Sequence, residues 1–281
     1  MPTGRFAPSP TGPLHLGNLR TALVAWLFAR SAGSPFLVRV EDLDPVASRE
    51  QWIEQHLADL AAIGLDWDGV VVRQSERRSA HVAAVERLRD DGLLYPCWCT
   101  RREIAEAAQA AHGPLPEGAY PGTCRGRPAL GRGDRAPALR VRAGGVTVGF
   151  ADEIHGRVEA IIDDFVVQKG DGTPAYNLAV VVDDAWQGVE QVVRGDDLLL
   201  GTPRQVWLAG VLGVPVPSYA HVPLVLNAAG QRLAKRDGAV TVADLGPAET
   251  RRLLDESLGD GGTTPATFNP ALLPGDPWFV R

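Results

Sequence analysis

Four small groups of residues have the types and spacing to do chemistry. His15 and Asn18 lie three residues apart, directly after the run Pro8-Ser9-Pro10-Thr11-Gly12-Pro13. Placed on the first turn of a helix they share a face, and both can donate hydrogen bonds to phosphoryl oxygens. Gly17 between them leaves room for a flat base. Glu41 follows the apolar run PFLVRV and suits an ammonium group, whereas Arg194 follows Gln191-Val192-Val193 and offers a planar fork to a carboxylate. Cys97, Cys99 and Cys124 make three thiolates where zinc normally takes four ligands, and the sequence alone nominates His112 as the fourth.

These residues need particular elements beneath them. Three prolines and a glycine in residues 8–13 permit neither strand nor helix, so a tight loop must follow the short strand started by Arg5-Phe6-Ala7. Leu16, Leu19, Leu23, Trp26 and Leu27 then recur at helical spacing up to Gly33, a C-capping glycine. A strand, loop and helix in this order turn the helix N-terminus toward whatever sits above the strand, which suits a phosphate. Neither a P-loop lysine nor GxGxxG occurs here, so a third kind of phosphate motif is indicated. Glu41 lies at the C-terminal end of the next strand, where open α/β sheets bind ligands.

Further along, residues 48–63 and 79–93 read as amphipathic helices, the first capped by Ser48 and the second ended by Gly92. Thr100 and Glu103 form a capping box opening a helix to about residue 111, and a Pro- and Gly-rich stretch covers residues 113–133. Residues 138–141, 146–151 and 157–162 read as strands, as do 164–169 and 175–182 about the turn Gly170-Asp171-Gly172, with Tyr176 opening the last of these. A strand at 191–193 and a helix at 202–212 restore the strand-then-helix pattern. Residues 247–258 form one more helix, and Trp278-Phe279 tuck onto the body. The expected fold is α/β: a split Rossmann-type, doubly wound parallel sheet in residues 1–94 and 164–225, a small zinc-stapled α+β insertion in 95–163, and a short C-terminal segment in 226–281.

Composition sets outer bounds. The chain has 281 residues, 22% of them charged and 45% hydrophobic, which is room for about two domains and a sizeable core. No apolar run is long enough for a membrane span and no secretory signal is visible, so a cytoplasmic protein is expected. The odd number of cysteines, clustered within residues 97–124, favours a local metal site over a disulfide framework. A net charge of −6 counts against an RNA partner, but residues 125–142 hold six arginines against Asp134 alone, a strip able to follow a phosphate backbone.

His15-Leu16-Gly17-Asn18 resembles the HIGH signature of class I aminoacyl-tRNA synthetases, and RFAPSPTGPLHLGNLRTAL resembles their glutamyl branch. Gln231-Arg232-Leu233-Ala234-Lys235-Arg236, after the turn Asn227-Ala228-Ala229-Gly230, resembles the second signature, KMSKS in its KLSKR form. Ala234 departs from it, removing a serine hydroxyl while the charge of Lys235 is retained. The resemblance implies ATP and Mg²⁺ at Pro8, His15, Gly17, Asn18 and Lys235, the lysine neutralising charge as pyrophosphate leaves. It also implies L-glutamate at Arg5, Ser9, Glu41, Tyr176 and Arg194. The CxC followed by YxxxC implies one structural Zn²⁺ with Tyr120 as the fourth ligand, His112 being held in reserve.

Conventional members carry a helical anticodon-binding half after this point. Without it the resemblance narrows to short paralogues that glutamylate the queuosine base in the anticodon stem-loop of tRNA(Asp), acting as monomers. A truncated synthetase charging the tRNA 3′ end, a ligase with a small amine or protein acceptor, and a non-catalytic tRNA-binding protein are the rival readings. Intact His15 and Lys235 speak against the last, and the arginine strip against a small acceptor.

Overall fold

A computed structural model describes residues 2–110, 119–126, 135–227, 230–231 and 240–280. His112, Ala234, Lys235 and two arginines of the strip, Arg127 and Arg132, lie outside these. The strands are β1 (Gly4–Phe6), β2 (Phe36–Val40), β3 (Val72–Arg73), β4 (Leu94–Cys97), β5 (Ala138–Val141), β6 (Thr147–Asp152), β7 (Gly156–Ile161), β8 (Val166–Gln168), β9 (Gln191–Gly195), β10 (Ser218–Val222), β11 (Val225–Leu226) and β12 (Trp278–Phe279). The helices are α1 (Leu16–Ser31), α2 (Glu50–Ala62), α3 (Arg78–Asp90), α4 (Arg101–Ala110), α5 (Tyr176–Gln187), α6 (Thr202–Leu212), α7 (Val242–Leu245) and α8 (Pro247–Glu256). None is long and apolar enough to cross a membrane.

A seven-stranded sheet in the order β3-β2-β1-β9-β10-β6-β7 carries the site, parallel throughout except for the β6–β7 hairpin. The first and second halves of the chain meet where β1 pairs with β9, the place at which a doubly wound sheet reverses order and leaves a crevice above its strand ends. Leu16, Leu19, Leu23 and Leu27 of α1 are fully buried on β1 and the sheet, as their spacing predicts. Arg20, also buried, crosses from α1 to the carbonyl of Pro223 (2.8 Å) and the hydroxyl of Ser257 (3.1 Å), tying the helix to the end of α8. Burial pulls this guanidinium down to about 10, although Asp196 acts in the other direction.

The hairpin β6–β7 falls in the segment expected to be an insertion, yet it extends the main sheet through β10. Conversely, β8 joins β4 and β5 in a separate antiparallel three-stranded sheet. Trp278 and Phe279 do return to the body, as β12 beside β11.

Two local expectations fail. Residues 176–187 form helix α5, not a strand. The run Ala-Val-Val-Val suggests a strand by propensity, but Leu178, Val180 and Val181 lie buried against α3 and α6, and Gly188, left-handed at φ 67°, caps a helix. The turn at Gly170-Asp171-Gly172 is present and leads into that helix. Ser48 does not cap α2: the N-cap position is Arg49, with no side-chain cap. The capping box of Thr100 and Glu103 is formed as expected, each side chain bonding the other's backbone N–H.

Candidate active site

The proline-rich loop after β1 is held by its carbonyls, since proline has no N–H to give. Glu41 N–H donates to Pro8 O and Arg49 N–H to Pro10 O, each at 3.0 Å, and the buried His56 ring bonds Gly12 O at 2.8 Å. The loop thereby forms one wall of an open cleft of about 460 Å³, which is also lined by His15, Gly17, Asn18, Glu41, Tyr176 and Arg194. Pro8 and Ser9 line it too. A side chamber of about 80 Å³ shares Glu41, Tyr176 and Arg194 with the cleft and adds Arg5. Every described residue expected to hold ATP or glutamate thus faces one of these two spaces.

His15 is the N-cap of α1. Its Nδ1 accepts from the backbone N–H of Gly17 (3.1 Å) and Asn18 (3.3 Å), so the ring hydrogen sits on Nε2. Asn18 Oδ1 in turn accepts from His15 N–H, completing a capping box. The N–H groups of Gly17 and Asn18 are therefore occupied by the histidine itself, so the helix N-terminus offers a phosphate its dipole and the His15 Nε2–H in place of these amides. A Cβ on Gly17 would meet His15 Cε1 and Nδ1 at 3.0 Å, so the glycine is required first by the imidazole cap.

The described residues on either side of the segment bearing Lys235 have fixed partners. Asn227 and Gln231 bond each other in the turn before it, and after it Val240 O accepts from Leu16 N–H at 3.1 Å while Thr241 bridges to His15.

In the chamber, Arg194 is buried and donates through Nε to His221 (3.1 Å), through Nη1 to Gln205 (2.8 Å) and Tyr176 (3.3 Å), and through Nη2 to Thr202 (2.7 Å). All four partners are neutral groups; burial holds the His221 imidazole below its usual range, Arg194 adding to the effect and Asp152 opposing it. Among the described residues no carboxylate pairs with Arg194. Arg5 differs, because Asp184 lies 3.3 Å from its Nε and 2.7 Å from Arg39 Nη1. Arg39, wholly buried, also reaches Glu41 at 3.3 Å. Burial raises the Glu41 carboxyl above the usual range, with Arg39 and Arg5 opposing. The chamber thus offers an acid and a buried cation that pairs directly with no carboxylate among the described residues.

Arg39, Asp184 and His221 are chamber supports that the sequence did not single out. The doublet Asp183-Asp184 is visible as an acidic end to an apolar run, but its helical setting is what turns Asp184 onto the two arginines.

The cysteines come together as expected. Their sulfurs lie within 4.8 Å of one another, Cys99 and Cys124 being 3.5 Å apart. The Tyr120 hydroxyl is 3.5 Å from Cys97 Sγ and 3.9 Å from Cys99 Sγ. Ligands about 2.3 Å from a tetrahedral centre stand roughly 3.7 Å apart, so this set has the dimensions of a metal site. Burial and the neighbouring sulfurs push the Cys99 thiol up to about 12, whereas at Cys124 burial is outweighed by hydrogen bonds from the Tyr120 hydroxyl and the Trp98 backbone, which hold that thiol below its usual range.

The arginine strip is not a uniform solvated row. Arg125 pairs with Asp164, the buried Arg140 lies 3.7 Å over the Tyr120 ring, Arg142 stands 4.8 Å over Tyr95, and Arg135 bonds Trp98 O. Its described members hold the small sheet and the cysteine cluster together.

Residues 3–249 match the family described as tRNA synthetases class I (E and Q), catalytic domain. The glutamyl-Q tRNA(Asp) synthetase of Nocardia farcinica is 59% identical over 291 residues, covering 99% of this chain and 92% of that protein. That of Thiobacillus denitrificans is 49% identical over 248 residues, covering 86% and 80%. Among solved structures, a glutamate tRNA ligase from Elizabethkingia meningosepticum superposes with a TM-score of 0.81 at 24% identity, over 99% of this chain and 66% of its own, a likeness of fold. The methionyl-tRNA synthetase of Mycobacterium tuberculosis gives 0.56 at 11% identity, over 90% and 63%. With the first signature lining the cleft and the family model spanning most of its length, the chain belongs to the class I tRNA synthetases of the E and Q group.

Proposed function

We propose that the protein activates L-glutamate with ATP and passes the glutamyl group to the queuosine base in the anticodon of tRNA(Asp). The observation that carries the first step is the buried Arg194, whose partners are all neutral, facing Glu41 across a small chamber. A buried cation without a counter-charge favours an anionic ligand, and a carboxylate side chain with an α-ammonium near Glu41 satisfies both ends at once. Glutamine would leave the guanidinium uncompensated.

In this reading the α-carboxylate of glutamate attacks the α-phosphorus of ATP, which enters with its Mg²⁺, and pyrophosphate departs. His15 Nε2–H and Asn18 bind phosphoryl oxygens, and Lys235 neutralises the charge that develops on the leaving group. A hydroxyl of the queuosine cyclopentenediol then attacks the glutamyl carbonyl and AMP leaves. Residues 1–94 and 164–225 supply the catalytic halves, with the β6–β7 hairpin added to their sheet, the rest of 95–163 the acceptor-facing segment, and 226–281 the Lys235 loop and a stem contact. The acceptor is supported by the two relatives described above, both called glutamyl-Q tRNA(Asp) synthetase.

The test is transfer of radioactive glutamate. Label is expected on tRNA(Asp) containing queuosine, including tRNA lacking its 3′-terminal adenosine, and none on the same transcript without queuosine. Labelling of unmodified tRNA(Glu) at its 3′ end would instead identify a synthetase of the conventional kind.

Cys97, Cys99, Cys124 and Tyr120 would hold one structural zinc, which supplies a cross-link between β4 and the segment bearing Tyr120 and no step of the reaction. Purified protein is expected to contain about one zinc per chain, and Cys124→Ser to lose most of it together with several degrees of Tm. Unchanged zinc content and Tm in that variant would remove the assignment.

A further inference from the structure

Three neighbouring parallel strands of the main sheet carry a row of buried polar side chains that ends at the chamber. His221 on β10 stands opposite Arg194 on β9 in register, and Tyr219, two residues earlier, stands opposite Asp152 on β6. The His221 and Asp152 side chains are wholly buried, and neither lines the cleft or the chamber. They are therefore out of reach of any ligand bound there and can act on it only through Arg194.

The hydrogen-bond directions in this row are determined. The Asp152 carboxylate accepts from the backbone N–H groups of Ile154 and His155, each at 3.0 Å, and of His221 at 3.1 Å, and it lies 2.6 Å from His221 Nδ1. A carboxylate that already accepts from three amides is an acceptor at the fourth contact too, so the imidazole hydrogen is on Nδ1. Nε2 then presents its lone pair to Arg194 Nε–H at 3.1 Å. The Thr202 hydroxyl, 3.0 Å from both Nε2 and Leu198 O, can give its hydrogen to either without altering that direction. With Nε held by His221 and Nη2 by Thr202, Nη1, bonded to Tyr176, is the corner of the guanidinium turned toward the chamber.

We propose that Asp152 and His221 are positioning residues for glutamate: Asp152 fixes the His221 tautomer, and His221 anchors Arg194 through Nε so that Nη1 meets the side-chain carboxylate of the substrate. This rests on the chamber being the glutamate subsite. Two outcomes follow from the chemistry. A side chain at position 221 that accepts at the place of Nε2 preserves the orientation, and one that cannot accept releases it. An asparagine at position 152 has one acceptor oxygen for a site surrounded by donors. Its oxygen stays with the fixed N–H groups of Ile154 and His155, which leaves the amide hydrogens facing Nδ1, so the ring hydrogen moves to Nε2 and opposes Arg194 Nε–H.

The experiment is glutamate-dependent exchange of pyrophosphate into ATP, with wild type, His221→Leu, His221→Gln and Asp152→Asn, each confirmed folded by circular dichroism. His221→Leu and Asp152→Asn are expected to raise the glutamate KM by about tenfold or more, the loss expected for one hydrogen bond to a charged group, and to leave the ATP KM within about twofold. The preference for glutamate over glutamine should fall with them. His221→Gln, whose amide oxygen can accept from Nε–H, should recover most of the glutamate KM. A merely structural role would move both substrates' KM values together and show no such recovery. Glutamate KM values within twofold of wild type in Asp152→Asn, or no difference between the Gln and Leu variants, would overturn the proposal. Should His221→Leu not fold, Asp152→Asn compared with His221→Gln decides it by the same readout. Absence of glutamate-dependent exchange in wild type would instead overturn the reading of the chamber.

Discussion

Replacing Arg194 by leucine is expected to lower kcat/KM for glutamate by about a thousandfold while the protein stays folded and binds ATP normally. Removing one partner of a buried, hydrogen-bonded charge pair costs about 2–5 kcal/mol, and each ~1.4 kcal/mol is tenfold. Arg194 sits at the upper part of that range because it is buried and because no carboxylate among the described residues competes for it. Arg5, already paired with Asp184, should matter less. Arg194→Lys keeps the charge but loses the fork, so an intermediate loss is expected. The measurement is pyrophosphate exchange at varied glutamate and saturating ATP, with ATP affinity measured separately by calorimetry. A loss of less than tenfold in the leucine variant would exclude Arg194 as the carboxylate-binding group.

Lys235→Ala is expected to reduce the same exchange by about a hundredfold, in kcat more than in either KM. Charge that appears on the departing pyrophosphate rewards a cation in the transition state and not in the ground state, and removal of such a group costs roughly 10²–10³. Lys235 lies five residues before Val240, whose carbonyl accepts from the first residue of α1. Full activity in the alanine variant, measured at saturating ATP, would exclude that role. Restoring a serine at Ala234 in the wild-type background adds only one hydroxyl donor and should change kcat far less.

The sequence by itself determined what is local. Prolines and glycine in residues 8–13 force a loop wherever they occur, and leucines at helical spacing place α1 after it, so His15 and Asn18 could be set on a helix N-terminus from their numbers alone. Cys97 and Cys99 were legible as a pair for the same reason, and the short apolar run before Glu41 put that carboxylate at a strand end. Where local preference and packing disagree, packing prevails: Val180, Val181 and Val182 favour a strand, yet burial against two helices makes them part of α5 and turns Asp184 onto Arg5 and Arg39.

The rest depends on register between distant strands. Arg194, His221 and Asp152 are joined by hydrogen bonds spanning 27 and 69 residues of sequence, and only the pairing of β9 with β10 and of β10 with β6 brings them into a row. No periodicity records such a register, because the side chains involved obey the ordinary alternation of their own strands. The arginine strip shows the same limit from the other side. Its charge is plain in the sequence, but tertiary contacts with Asp164, Tyr120 and Tyr95 decide that much of it stabilises the protein's own fold. Types and spacing settle which chemistry is possible, and the long-range pairing of strands, fixed by burial of their apolar faces, decides which groups are aimed at one another.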